Sequence, residues 1–179
     1  MQVPTLTTPR LILRPATLAD WPGYLAMMSS DRARYMGGPF APRAAWGMFC
    51  ADHAQWDFFG MGALMIEDRA THACLGQVSI NSGPFFPERE LGWMLYPGAE
   101  GHGFAFEAAH ALCQWARDAG LPALVSYVDA GNTRSRRLAE RLGAVLDPEA
   151  ARPDPTDLVY RHFGAAPHPS RRSPRAVLR

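Results

Sequence analysis

Two stretches of the 179-residue chain carry residue types and spacings suited to holding an anion. The first is Gly98-Ala99-Glu100-Gly101-His102-Gly103, which follows an apolar segment ending at Pro97 and leads into helical periodicity from Phe104. Glycine lets the backbone approach a ligand closely, and the first N–H groups of a helix have no partner within it. Those N–H groups, with the positive end of the helix dipole, suit a diphosphate and need no lysine. A Gly-x-Gly turn is equally the mark of a tight strand-to-helix connection, and on this motif alone both readings stand. The second stretch runs from Asn132 to Gly143. Asn132 is placed to cap a helix. Leu138 and Leu142, four residues apart, mark its buried face, Glu140 falls on the solvent side, and Ser135 sits in the first turn, within reach of a ligand at the helix start.

The elements that must position these residues follow from periodicity. Residues 10–14 alternate as a first strand, and Thr17, three residues before Asp20, opens a helix to about residue 28. Gly37-Gly38-Pro39 breaks the chain, and Pro42 starts a second helix with Trp46, Phe49, Cys50 and Trp56 at helical spacing. Residues 63–66, 75–80 and 90–96 read as three consecutive antiparallel strands. A helix over about 104–119 shows Phe104, Ala108, Leu112 and Trp115 on one face. A strand at 123–128 and a helix at 132–142 follow, the latter closed by Gly143. Residues 145–146 and 157–163 complete the set. These elements predict a mixed α/β domain over 1–163 and a flexible Pro/Arg-rich extension over 164–179.

Composition narrows the chemistry. All 18 basic residues are arginine. The absence of lysine excludes a lysine-bearing P-loop and Schiff-base catalysis, since arginine stays protonated and is a poor nucleophile. The first 163 residues carry a net charge of −3 and the tail +4, so the body offers no nucleic-acid footprint. Cys50, Cys74 and Cys113 are odd in number, lack metal-ligand spacing, and are expected to be buried thiols of a reducing cytoplasm. None of the six histidines forms a recognisable metal pair, so no metal is expected. The start lacks a signal peptide's regions and no apolar run approaches the roughly 20 residues that cross a bilayer, which predicts a cytoplasmic protein with no membrane partner.

The strand, then Gly101-His102-Gly103-Phe104-Ala105-Phe106-Glu107-Ala108, then helix resembles the acetyl-CoA pyrophosphate motif of the GNAT superfamily of N-acetyltransferases. The segment with Asn132, Ser135, Leu142 and Gly143 is similar to the superfamily's next motif. Thr8-Pro9-Arg10-Leu11-Ile12-Leu13-Arg14-Pro15 resembles the start of the ribosomal-protein-alanine acetyltransferase-like branch, and residues 157–162 are compatible with that branch's last strand. The likeness runs over about residues 8–163, with the motifs in order.

The resemblance implies a mostly antiparallel sheet of six or seven strands, splayed between the fourth and fifth, with helices on both faces. It implies that the backbones of Trp93, Met94 and Leu95 hold the pantetheine arm of acetyl-CoA, and that an N–H near Trp93 polarises the thioester carbonyl. The N–H groups of Gly101, His102, Gly103, Phe104 and Ala105 would bind the pyrophosphate. Asn132 and Ser135 would contact the arm from the other side, and Arg136 or Arg137 the adenosine phosphates. Glu90 is the candidate base, acting through water, and Ser135 the nearest proton source for the thiolate, with Tyr127 and Tyr160 behind it. Tyr35, Met36, Trp46 and the Phe85-Phe86 turn are candidate acceptor contacts.

Three positions depart from the family pattern. Glu100 stands where the loop often begins with Gln, Arg or an aromatic, and is expected to face solvent, away from a diphosphate. Ala144 replaces an aromatic, and Ala139 replaces a tyrosine. The implied activity is acetyl transfer to a primary amine, on a protein N-terminus or a small molecule, by direct attack. The alternatives are a non-catalytic acyl-CoA-binding module, and a different nucleotide-binding protein, which three antiparallel strands before the turn argue against. A homodimer through a sheet edge is compatible with this reading.

Overall fold

In the computed structural model the described residues are 3–165. The tail expected over 164–179 therefore lies outside them from residue 166 onward. The elements in order are β1 (Leu6–Thr7), β2 (Leu11–Arg14), α1 (Trp21–Met28), α2 (Pro42–Phe59), β3 (Ala63–Asp68), β4 (Cys74–Asn81), β5 (Glu90–Leu95), α3 (Phe104–Asp118), β6 (Leu124–Asp129), α4 (Thr133–Arg141), β7 (Val145–Leu146) and β8 (Asp157–Phe163). Short 3-10 helices, Leu18–Asp20 and Asp31–Met36, precede and follow α1. The strands form one sheet in the order β1-β2-β3-β4-β5-β6-β8-β7. The two-residue β1 is the addition to the seven strands legible in the sequence.

Alternation along the strands sets the two faces. Leu11, Leu13, Leu64, Ile66, Val78, Ile80 and Leu91 pack in one buried cluster with Ala108, Ala109, Leu112 and Ala116 of α3. Three alanines on that helix face let it sit close to the sheet. Leu112 is fully buried, and its truncation to alanine would cost about 2–5 kcal/mol. On the other face Tyr24, Met27 and Met28 of α1 and Ala45 and Phe49 of α2 pack with Met94. Ala139 of α4 packs on Val128 and Tyr160.

The first helix begins later than its sequence signal. Thr17 N–H and Oγ1 both donate to Asp20 Oδ2, at 2.8 and 3.0 Å, but the turn they close is 3-10 and the α-helix starts at Trp21. Asp20 is also held by Arg14, whose two nitrogens reach its carboxylate at 2.9 and 2.8 Å. The cysteines differ from expectation: Cys113 is buried and Cys74 half-buried, but Cys50 is exposed, because α2 turns that position outward.

All neighbouring strands are antiparallel except β5 and β6. That parallel pair is in register at a single point, Glu90 opposite Val125. Val125 N–H donates to the Arg89 carbonyl at 3.0 Å, and the Ser126 hydroxyl donates to the Leu91 carbonyl at 2.6 Å. Beyond these bonds the strands part, and the sheet opens as a wedge.

Candidate functional site

The wedge exposes one edge of β5. Backbone groups alternate sides along an antiparallel strand. Tyr96 N–H donates to the Leu75 carbonyl, and a Cβ on Gly76 would collide with the Met94 carbonyl oxygen, so even-numbered residues of β5 bond to β4. The Leu91 carbonyl meets Ser126 of β6, and the Leu95 carbonyl meets Arg32. Trp93 and Leu95 therefore turn their amides and carbonyls into the wedge. Met94 does not. Its backbone is committed to β4, and its side chain packs against α1 and α2, which corrects the expectation that all three backbones hold a ligand.

The edge of β5 opens into a cleft of about 960 Å³ that reaches the Gly101–Gly103 turn and the first turns of α3 and α4. Gly101 and Gly103 take φ of 84° and 80°, a left-handed conformation that glycine adopts without strain. Gly103 is the N-cap of α3. Among the described residues, none accepts a hydrogen bond from the amides of Gly101, Gly103, Phe104, Ala105 or Phe106. The turn is fixed from behind. Arg10 Nη1 donates to the His102 carbonyl at 2.9 Å, and Arg10 Nε reaches Glu107 at 2.7 Å. Thr8 Oγ1 donates to the same carboxylate at 2.6 Å. The Phe104 ring packs into the core beneath the Arg10 guanidinium, 4.7 Å from the ring centroid. Thr8 and Arg10 thus position the loop from the turn between β1 and β2.

On the opposite wall Asn132 is the N-cap of α4, accepting from Ser135 N–H at 3.2 Å. Trp93 Nε1 donates to Ser135 Oγ at 3.3 Å, linking the two sides of the wedge. Arg134, Arg137 and Arg141 line the cleft together, as their spacing of three and four on one helix face dictates. Arg136 does not join them: it donates to Tyr160 Oη at 3.3 Å and the Ala130 carbonyl at 3.2 Å. Arg32 and Arg34 add two more cations, against the single carboxylate of Glu100. This concentration of positive charge in a mildly acidic body favours a polyanionic ligand.

Glu100 departs from expectation. It does not point freely to solvent but lines the cleft, pairing with the Arg32 guanidinium and accepting from Gly98 N–H at 3.2 Å. The residues that sequence reasoning missed here are Arg32, Arg34, Phe106, Arg134 and Arg141. Helical spacing gives the last two; nothing local marks Arg32, whose partner Leu95 is 63 positions away.

Glu90 sits at the closed end of the wedge, outside the lining of the main cleft. Its carboxylate accepts from Asn81 Nδ2 at 2.9 Å. Burial is the largest influence on this group and pushes its pKa up to about 7, against which the Asn81 bond acts only partly. A carboxyl poised there can hold or release a proton near neutrality. Gly92 lies between Glu90 and Met94, and a Cβ on it would come 3.0 Å from Ser79 Oγ and 3.4 Å from Asn81 Nδ2. Tyr127 Oη accepts from Glu88 N–H at 3.0 Å, and burial lifts its pKa to about 12. Tyr160 Oη donates to Glu140 at 3.1 Å while accepting from Arg136. Of the two tyrosines that stood behind Ser135 as proton sources, Tyr160 has its proton committed to Glu140, whereas Tyr127 is held as an acceptor beside Glu88.

Of the candidate acceptor contacts, Tyr35 and Met36 line the main cleft, with Tyr35 Oη donating to the Gly131 carbonyl at 3.3 Å. Trp46 instead packs with Trp21 and Phe49, at ring distances of 5.0 and 5.9 Å. Phe85 is 82% exposed on the β4–β5 turn and is also apart from the cleft. Among the described residues no group of three or more His, Cys, Asp or Glu is gathered as metal ligands, and no helix is long and apolar enough to cross a membrane.

Comparison with known proteins agrees with this geometry. The family model of the acetyltransferase (GNAT) domain matches residues 10–145. An acetyltransferase from Agrobacterium tumefaciens is 54% identical, with a TM-score of 0.88 over 91% of this chain and 96% of that one. A GNAT-family acetyltransferase from Bacillus anthracis shares the fold at 19% identity, with a TM-score of 0.70 over 88% of this chain and 95% of that one. A ribosomal-protein α-N-acetyltransferase in complex with coenzyme A does so at 16% identity, with a TM-score of 0.69 over 86% and 93%. The chain belongs to the GNAT acetyltransferase family.

Proposed function

We propose that the protein transfers an acetyl group from acetyl-CoA directly to a primary amine, on a protein N-terminus or a small molecule. The observation that carries this reading is the open β5 edge running toward five unpartnered amides in an arginine-lined cleft. An extended amide-bearing arm can add to that edge through Trp93 and Leu95 as a further strand does. The amides of residues 101–106 suit a diphosphate. Arg134, Arg137 and Arg141 suit the remaining phosphate, by charge and by fork geometry.

Acetyl-CoA supplies an activated thioester. The Trp93 amide is the donor for the charge that develops on its carbonyl oxygen, because it is fixed in the strand and needs no reorganisation. The amine must lose its proton before it attacks. Glu90, with its pKa near 7, is the proton acceptor through a water molecule. It is better matched to an α-amine of about 7.7–8.0 than to a lysine side chain of about 10.4. Ser135 Oγ accepts from Trp93, which leaves its own proton available for the departing thiolate.

The test is incubation of the purified protein and acetyl-CoA with a panel of peptide N-termini, amino acids, polyamines and drug-like amines, following CoA release. Saturable release with one amine class is expected. Failure to bind acetyl-CoA at saturating concentration contradicts the reading. Binding without turnover across the panel favours an acyl-CoA-binding module instead.

A further inference from the structure

A carboxylate beside a row of amides meant for an anion is an electrostatic contradiction, and the structure contains its resolution. Glu100 immediately precedes Gly101, the first of the unpartnered amides. Its charge would repel a diphosphate seated there. The cation facing it comes from Arg32, in the 3-10 turn that follows α1. That turn is pinned at its start, where Ser30 Oγ accepts from Arg32 N–H at 3.3 Å, and closed at its end by Gly37 in the left-handed region. Arg32 therefore reaches the cleft from a braced backbone.

Its guanidinium makes two contacts. One is the ion pair with Glu100, and the other is donation from Nη2 to the Leu95 carbonyl at 3.2 Å. Nε is buried and has no acceptor among the described residues. The Leu95 carbonyl is one of the outward groups of the open β5 edge, the position that an amide-bearing arm would claim. Arg32 and such an arm thus compete for one acceptor. A guanidinium carries five donors in a fixed plane, so it can leave Leu95, keep an edge on Glu100, and present the freed N–H groups to an anion on the neighbouring amides.

We propose that Arg32 is the diphosphate-binding side chain of this cleft, held ready by Glu100 and the Leu95 carbonyl and released when a ligand's arm takes that carbonyl. Glu100 is then the positioning residue for Arg32, and the pair presents no net negative charge to the ligand. This rests on the acetyl-CoA reading above.

The experiment is calorimetric titration of the wild type, Arg32→Ala, Glu100→Gln and the double variant with CoA and with 3′-dephospho-CoA. Arg32→Ala is expected to weaken both ligands by the same factor, about tenfold to a hundredfold, the usual range for a lost charge-assisted bond. Glu100→Gln is expected to recover only part of that loss in the Arg32→Ala background, the part owed to the unpaired carboxylate, and to change affinity less in the wild type; the part that remains is the lost Arg32–diphosphate bond. Circular dichroism and thermal unfolding of Arg32→Ala matching the wild type show that the variant folds. Three results overturn the proposal: Arg32→Ala binding within about twofold of the wild type, a loss confined to CoA, or complete recovery by Glu100→Gln, which would leave Arg32 as no more than a neutraliser of Glu100. A wild type that binds neither ligand overturns the acetyl-CoA reading itself, which separates the two failures.

Discussion

The indole Nε1 of Trp93 on β5 donates to Oγ of Ser135 on α4 across 3.3 Å, a side-chain to side-chain hydrogen bond that links the two walls of the wedge. Ser135 also donates its own amide to Asn132 Oδ1 at 3.2 Å. The hydroxyl is thus fixed as an acceptor on one side and keeps its proton for the cleft. Ser135→Ala is expected to lower kcat about tenfold, with KM for acetyl-CoA nearly unchanged, since one hydrogen bond is worth about 0.5–1.5 kcal/mol. Trp93→Phe keeps the ring and removes the donor, and should give a smaller fall in kcat. Steady-state kinetics on the amine that responds best measures both; a change in KM alone assigns Ser135 to binding.

With Glu90 as the base, the pH dependence has a definite sign. With a pKa near 7, its carboxylate form is lost as pH falls below 7. The kcat/KM profile should therefore rise with pH through about 7 and level above it. Glu90→Gln should lower kcat/KM by about 10²–10⁴ and abolish that limb. Asn81→Ala removes the bond that favours the ionised form, and should move the limb to higher pH.

His162 gives an independent test on stability. It is buried on β8, its Nε2 lies 2.9 Å from Ser126 Oγ, and Arg117 of α3 donates to its carbonyl at 2.9 Å. Burial first, and then the Arg117 charge, depress its pKa from 6.5 to about 4. Between those values the unfolded chain binds the proton and the folded one does not. Stability from this group is therefore complete above about pH 6.5 and is lost as pH falls toward 4. Denaturant unfolding of the wild type against His162→Gln should show the wild type losing up to about 3 kcal/mol more than the variant over that interval. Parallel pH profiles would contradict it.

Arg161 on β8 ties the β4–β5 loop to the far edge of the sheet. It reaches both oxygens of Glu88 at 2.8 Å and Asp147 Oδ2 at 2.8 Å, with all three side chains largely buried. Arg161→Met leaves two buried carboxylates unpaired and should cost about 3–5 kcal/mol in chemical denaturation. Adding Glu88→Gln should recover part of that. Because Glu88 is two residues from Glu90, activity should fall before the fold is lost as temperature rises.

How much of this was legible in the sequence depends on how local each determinant is. The Gly101–Gly103 turn, the helix beginning at Phe104 and the Asn132 cap are set within a few residues, and their sequence signals stand. The splay of β5 from β6 came only through family likeness, since no local pattern announces that two parallel strands pair at Glu90 and Val125 alone. Met94 was misjudged because the facing of its backbone depends on register with Gly76. Glu100 was expected in solvent because a carboxylate repels a diphosphate, and the cation that pairs with it, Arg32, lies far away in the chain. Trp46 falls in a helical stripe with Phe49 and Trp56 and was an acceptor contact only through family likeness; its ring packs with Trp21 and Phe49. Side-chain pairs across elements are fixed by tertiary packing, which periodicity does not encode.

The account turns on the wedge between β5 and β6 as the seat of the acetyl donor. A crystal structure of the protein with acetyl-CoA tests this most directly. It should show the arm hydrogen-bonded to the backbone of Trp93 and Leu95, with the diphosphate on the amides of residues 101–106. Donor density lying elsewhere, or Met94 rather than its neighbours bonding the arm, would contradict it.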